Sequence, residues 1–213
     1  MIPIYLHGPL GDRGYLFKQF SQHLQQICEE HHAHNRAAAF VFILHDLTNP
    51  ALMKALDDPS YWAALDEISG NVLSVFSVHE ALVQRLHRPR DESVRSIRDV
   101  TEKGQEFAES YFGLPDTRMP ALLFFQVSNN LISDFALIEL EADTPDKAFN
   151  EIRAILSACA DCLRDSTGRI IRNPEESFNR LDRKLLQIRI TRKAGGLFNR
   201  AKALMDLLTL FNR

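Results

Sequence analysis

Hydrophobic and polar positions along the chain follow two different periods. Three continuous apolar runs have the length of β-strands, and they lie at 2–7 (IPIYLH), 37–46 (AAAFVFILHD) and 71–78 (NVLSVFSV). The two longer runs are typical of strands that are buried on both faces. Between the first two runs, apolar residues recur at three- and four-residue steps, which predicts an amphipathic helix. These residues are Leu16, Phe20, Leu24 and Ile27.

The second half of the chain adds a hairpin and further helices. Two apolar segments, 120–128 and 132–141, are joined by only three residues, which predicts an antiparallel pair. A cap residue followed by a first-turn proline predicts three helix starts. The pairs are Asn49-Pro50, Asp58-Pro59 and Thr144-Pro145. After a linker at 166–174 we expect two helices, separated at Gly195-Gly196.

The resulting order is β-α-β-α-β-α-β-β-α, followed by a helical tail. Strands that alternate with helices predict an α/β fold whose central sheet is mainly parallel and is covered on both faces. The closing hairpin makes the sheet mixed. We expect one domain over residues 1–164 and a basic helical extension over 165–213.

Charge is distributed unevenly along the chain. Residues 169–213 hold eleven Lys or Arg and four acidic residues, a net charge of +7, whereas the other 168 residues hold 14 bases and 24 acids, a net charge of −10. Such a tail is suited to contact the acidic body, nucleic acid, an anionic surface or an acidic protein. The bases are not interleaved with stacking aromatic residues, so nucleic acid is the less favoured of these partners.

The remaining composition predicts a cytoplasmic protein with reduced thiols. No apolar run approaches the roughly 20 residues that a transmembrane helix needs, and the N-terminus lacks the basic start and long apolar stretch of a signal peptide. Three cysteines do not predict a disulfide framework.

The segment YFGLPDTRMPALLFF, at 111–125, resembles the part of thioredoxin in which a helix end leads to a cis-proline and a buried strand. A weaker likeness, at 40–68, is to UAS-type thioredoxin-like domains. Together the likeness covers about residues 1–164. It implies a thioredoxin-like fold, with Pro120 as the cis-proline and Met119 before it.

The resemblance also implies where a redox dithiol would lie, namely just after the second strand. That position reads HDLTNPA, at 45–51, and contains no cysteine. The resemblance therefore implies a redox-inactive member of the family that needs no cofactor. Its peptide-binding groove would be formed by Met119 and Pro120, opposite the loop residues Asp46, Leu47, Thr48 and Asn49.

Cys159 and Cys162 form the one C-x-x-C motif of the chain. Cys159 lies in the middle of the apolar stripe of a predicted helix and Cys162 on its edge, so we interpret both as small apolar residues. The alternative is a thiol-disulfide oxidoreductase that uses this displaced pair.

Cys28, His31, His32 and His34 form a second cluster of possible metal ligands. Two ligands at helical spacing arise easily by chance, whereas zinc needs four in a tetrahedral arrangement. We expect no metal site there, and interpret the cluster as the polar end of a helix.

The last helix, at 196–213, has a wide apolar face that includes Leu204, Leu208 and Phe211. Such a face is buried against the domain itself, against another chain or on a membrane surface. We expect a protein-interaction module that binds a protein partner or self-associates through this face and the groove at Pro120. The alternatives are the oxidoreductase and a binder of nucleic acid or an anionic surface through residues 169–213.

Overall fold

The structure of the protein is a computed structural model. It describes residues 2–6, 24–45, 50–80, 109, 112–114, 120–128, 131–141 and 144–211. Residues 79–112, where the predicted order places a helix and a loop between the third and fourth strands, lie almost entirely outside these residues.

Within these residues, five strands form one mixed sheet in the order β1-β3-β2-β4-β5. The strands are β1 (Ile2–Leu6), β2 (Ala39–Leu44), β3 (Leu73–Glu80), β4 (Ala121–Ser128) and β5 (Leu131–Glu139). β3 pairs in parallel with both β1 and β2, while β4 pairs antiparallel with β2 and with β5. The predicted mixed α/β sheet and its closing hairpin are confirmed.

Helices cover both faces of this sheet. They are α1, described over residues 24–33, α2 (Pro50–Asp57), α3 (Pro59–Ser69), α4 (Pro145–Cys162) and α5 (Pro174–Phe211). The predicted caps of α3 and α4 are confirmed, since Asp58 accepts a hydrogen bond from Ser60 N at 2.8 Å and Thr144 accepts one from Lys147 N at 3.3 Å. Each satisfies an amide that the first helical turn leaves unpaired.

Side chains of the central strand β2 alternate between two cores, as the two-residue strand period requires. Phe40 and Phe42 enter an aromatic core with α1, in which the rings of Phe42 and Phe125 stack at 5.1 Å. Val41 and Ile43 enter the second core, to which α2, α3, α4 and α5 all contribute buried residues. All six residues of β2 are buried, as its continuous apolar run predicts.

The expected separation into two helices at Gly195-Gly196 is wrong, because α5 runs without a break over 38 residues. Glycine weakens a helix by about 1 kcal/mol relative to alanine but, unlike proline, does not remove a backbone hydrogen bond. At 1.5 Å per residue the helix is about 57 Å long.

Candidate interaction surface

One side of α5 is part of the folded core. Ser177, Leu181 and Leu185 are fully buried, and both leucines belong to the same core cluster as the buried face of α4. The helix begins after Asn173, whose side chain accepts a hydrogen bond from Glu176 N at 2.9 Å. The start of the predicted basic extension is therefore packed against the sheet domain.

Two arginines of α5 bind the open edge of the sheet. Among the described strands β5 pairs with β4 alone, and because Leu140 N bonds to Pro120 O, Leu137 and Glu139 direct their backbone groups away from β4. Arg189 donates to the carbonyl of Leu137, and Arg192 donates to that of Glu139 at 2.8 Å. These contacts cover carbonyls that an edge strand otherwise exposes.

Arg192 also ties α5 to α4. Its second guanidinium nitrogen lies 2.6 Å from the Glu151 carboxylate, which accepts a further hydrogen bond from Glu141 N at 2.7 Å. Burial raises the pKa of Glu151, while Arg192 acts in the opposite direction. Together with the edge contacts, this pair fixes the orientation of α5 on the domain.

Two large apolar residues are exposed on the opposite side of α5. Leu186 is 50% exposed and Ile190 is 59% exposed, although both are large apolar residues. At 100° per residue they lie on the side of the helix roughly opposite Leu181. The same helical positions recur beyond them, at Leu197, Ala201, Leu204, Leu208 and Phe211. We call these seven residues, together with Lys193, the outer stripe.

The outer stripe includes the predicted binding residues of the tail but begins earlier. Leu204, Leu208 and Phe211 lie in α5, as expected from their spacing. Sequence analysis missed Leu186 and Ile190 because they occur among charged residues, with Lys193 interrupting the apolar series. The signal was present, since their spacing continues the three- and four-residue steps of the later residues.

The predicted groove is described only in part. Pro120 is buried at the start of β4, and its carbonyl accepts the hydrogen bond from Leu140 N at 2.8 Å. Because Leu44 pairs with Ala121, Pro120 lies beside the end of β2, from which the facing loop departs. Met119 and the loop residues Asp46, Leu47, Thr48 and Asn49 lie outside the described residues, as does the Met119-Pro120 bond.

The two cysteines of the C-x-x-C motif lie deep in α4. Cys159 is fully buried, as predicted, and Cys162 is half-buried and donates to Cys159 O at 3.1 Å. Burial is the main cause that raises the pKa of both thiols, to about 11 for Cys162. Both thiols therefore stay protonated at neutral pH, which is the unreactive form.

The cluster at the end of α1 makes ordinary structural contacts. Cys28 is buried, His31 Nδ1 lies 2.6 Å from Ser74 Oγ, and His34 Nδ1 donates to Glu30 O at 2.8 Å. His32 Nε2 lies 3.3 Å from the side-chain oxygen of the buried Gln126, whose amide donates to Ala38 O. Among the described residues, no three His, Cys, Asp or Glu side chains are grouped to hold a metal ion.

Several basic residues of the tail are used within the chain. In addition to Arg189 and Arg192, Arg172 donates to Asn35 O at 3.0 Å, and Arg180 pairs with Glu176 at 2.9 Å. A basic groove of about 810 Å³ lies at the start of α5, where two carboxylates also line it. The net charge of the tail therefore overstates what it presents to an anionic partner.

Comparison with known proteins gives no relative of this chain: no family model, curated protein or solved structure matches it. Within the part of the chain that the structure describes, no helix is long and apolar enough to cross a membrane.

Proposed function

We propose that this protein is a redox-inactive, thioredoxin-like protein-interaction module that binds a protein helix through the outer stripe of α5. The observation that carries the proposal is the exposure of Leu186 and Ile190, on the far side of a helix that the domain holds firmly. An amphipathic helix with an unpartnered apolar face is a common means of recognising another helix.

The strand order supports the thioredoxin-like assignment. Three parallel strands in the order β1-β3-β2, extended by the antiparallel pair β4-β5 and covered by helices on both faces, agree with the arrangement that the resemblance implies. Pro120 lies beside the end of β2, where that arrangement requires its proline to be. We propose the groove of Met119, Pro120 and Asp46–Asn49 as a second contact surface, for an extended peptide.

The thiols support the absence of redox chemistry. No cysteine occurs at 45–51, where a thioredoxin-like dithiol would lie at the start of a helix. Cys159 and Cys162 lie instead toward the end of α4, where the helix dipole does not stabilise a thiolate. A thiol-disulfide oxidoreductase is the less favoured function for this reason.

The engaged arginines weaken the remaining alternative, a binder of nucleic acid or an anionic surface. Arg172, Arg189 and Arg192 each donate to backbone carbonyls of the chain itself. Affinity for phosphates depends on basic side chains that are available to neutralise them.

The test compares two charge insertions at neighbouring exposed positions of α5 in the full-length chain. Ile190→Glu places a carboxylate in the outer stripe, and Thr191→Glu places the same group outside it. Protein bound by the immobilised parent should be retained by Thr191→Glu and lost by Ile190→Glu, whether that protein is another copy or a different chain. Equal binding by both variants would assign the interaction to another surface.

A further inference from the structure

The basic groove at the start of α5 lies between this helix and the loop that follows α4. Its volume of about 810 Å³ is within the range of about 300–1,000 Å³ that is usual for small-molecule sites. Four basic and two acidic residues line it, which gives a net charge of +2. All of its lining residues lie in the part of the chain that the structure describes.

The groove is formed by a side of α5 that differs from the outer stripe. The α5 residues that line it recur at three- and four-residue steps, from Arg180 through Lys184 to Gln187. At roughly 100° per residue, these positions lie about a quarter-turn from Leu186 and Ile190. The groove is therefore separate from the outer stripe and independent of the proposed function.

The acidic residues of the groove are explained by the fold itself. Glu175 and Glu176 lie in the first turn of α5, where the helix dipole favours carboxylates. Glu176 also pairs with Arg180 at 2.9 Å, one turn further along the helix. Glu176 and Arg180 thus compensate each other's charge within the chain.

The other three basic residues of the groove have no ion-pair partner among the described residues. They are Arg164, on the loop wall, and Arg183 and Lys184, on α5. Arg164 makes one long hydrogen bond, of 3.4 Å, to Gly168 O. Clefts lined by charges of one sign concentrate counter-ions, so these three side chains are available to an anion that enters the groove.

The loop wall of the groove is held in place by its own hydrogen bonds. The Asp165 carboxylate accepts from Thr167 N at 2.8 Å and from Arg169 N at 2.9 Å. The backbone of Arg164 forms a bridge with that of Ile170. A wall that is already ordered reduces the entropy that a ligand loses the protein on binding.

We propose that this groove binds a small phosphate monoester. Such a group carries a charge of about −1.5 to −2 at neutral pH, which balances the charge of the groove. The guanidinium of Arg183 offers a fork of donors that matches phosphate oxygens, and Lys184 adds a compact positive charge. The side-chain amides of Asn179 and Gln187, which also line the groove, are suited to hydrogen bonds with the polar remainder of the ligand.

The two carboxylates favour a compact ligand over a polymer. Along a nucleic acid or a polyphosphate, the neighbouring phosphates would extend past the three cations toward Glu175 and Glu176, where like charges repel. A single phosphate needs only the cations. The groove therefore differs in its ligand from the nucleic-acid binding that the engaged arginines weaken.

Titration calorimetry of the full-length chain tests the site, with phenyl phosphate as the probe and benzenesulfonate, a monoanion of similar shape, as the control. The parent should bind phenyl phosphate saturably, and benzenesulfonate more weakly because it has half the charge. Arg183→Gln should weaken the binding of phenyl phosphate about 10-fold. Arg153→Gln, at an exposed arginine of α4 outside the groove, should bind as the parent does. The absence of saturable binding, or equal losses in both variants, overturns the proposal.

A second variant should increase the affinity. Glu175→Gln removes a carboxylate from the end of the groove, so phenyl phosphate should bind about 2–5-fold more tightly. A gain of this kind cannot result from a loss of fold, which makes the variant a check on Arg183→Gln. Unchanged or weaker binding by Glu175→Gln, in a chain with the circular dichroism spectrum of the parent, shows that the phosphate is held elsewhere and overturns the proposal.

Discussion

The two faces of α5 can be separated by truncating adjacent leucines. Leu185 is fully buried within the core that α4 and the sheet share, whereas Leu186 is 50% exposed on the outer stripe. The substitutions Leu185→Ala and Leu186→Ala remove the same atoms at consecutive positions of the same helix. Any difference in the stability of the folded chain therefore reports where each side chain lies.

The expected magnitudes differ widely. Leu185→Ala removes buried atoms and leaves a cavity, which costs about 2–5 kcal/mol of unfolding free energy. Leu186→Ala removes atoms that are already half in water, and alanine is the better helix former, so we expect a change within about 0.5 kcal/mol. For a chain of this size the first substitution lowers Tm by roughly 4–20 °C.

The assay is unfolding in urea, monitored by circular dichroism, at a protein concentration low enough for the chain to be monomeric. The unfolding free energy of parent and variants should fall with urea concentration at the same slope. A variant that differs only in its unfolding midpoint has changed in stability alone. If both variants unfold at the midpoint of the parent, α5 is not anchored to the domain. In that case the firm support that we infer for the outer stripe is absent.

Three further predictions concern other parts of the chain. The double variant Cys159→Ala, Cys162→Ala should bind partners as the parent does, and the parent should show no disulfide reductase activity on insulin; activity that disappears in the variant would favour the oxidoreductase. Burial is the largest cause that lowers the pKa of His31 and His32 below 6.5 in the folded chain. Below about pH 6.5 the unfolded chain therefore binds more protons than the folded one. The stability that the neutral histidines contribute is full above about pH 6.5 and is lost as the pH falls through their folded-state pKa values. Urea midpoints at about pH 7.5 and 5 should show this loss, and His32→Gln should reduce it. Thr144→Ala should cost about 0.5–2 kcal/mol in the same assay and Thr144→Ser much less, because only the serine keeps an oxygen that caps α4.

Much of the sheet could be predicted because its signals are local. The apolar run of β2, the short connection of the β4-β5 hairpin and the Thr144-Pro145 cap each depend on neighbours in the sequence. Local signals also placed Cys159 on the buried side of α4.

The prediction failed where the decisive contact is distant or where local preference is weak. Arg189 and Arg192 bind carbonyls more than 50 residues away in the chain, and nothing near them in the sequence indicates an open sheet edge. Gly195-Gly196 lowers helix propensity without preventing a helix, so a preference of about 1 kcal/mol per residue was given too much weight. Leu186 and Ile190 were missed because charged residues surround them and because the expected break at Gly195-Gly196 separated them from the later residues of the series.

The arginine contacts with β5 have a consequence for the synthesis of the protein. Arg192 follows Glu139 by 53 residues, so at about 5–20 residues per second the hairpin exists for roughly 3–10 s before the residue that covers its edge is added. During that interval the outer carbonyls of β5 are open to pairing with strands of other nascent chains. Yield in the cell should therefore depend on how soon α5 docks, and slow translation between β5 and α5 should increase aggregation even though the finished fold is unchanged.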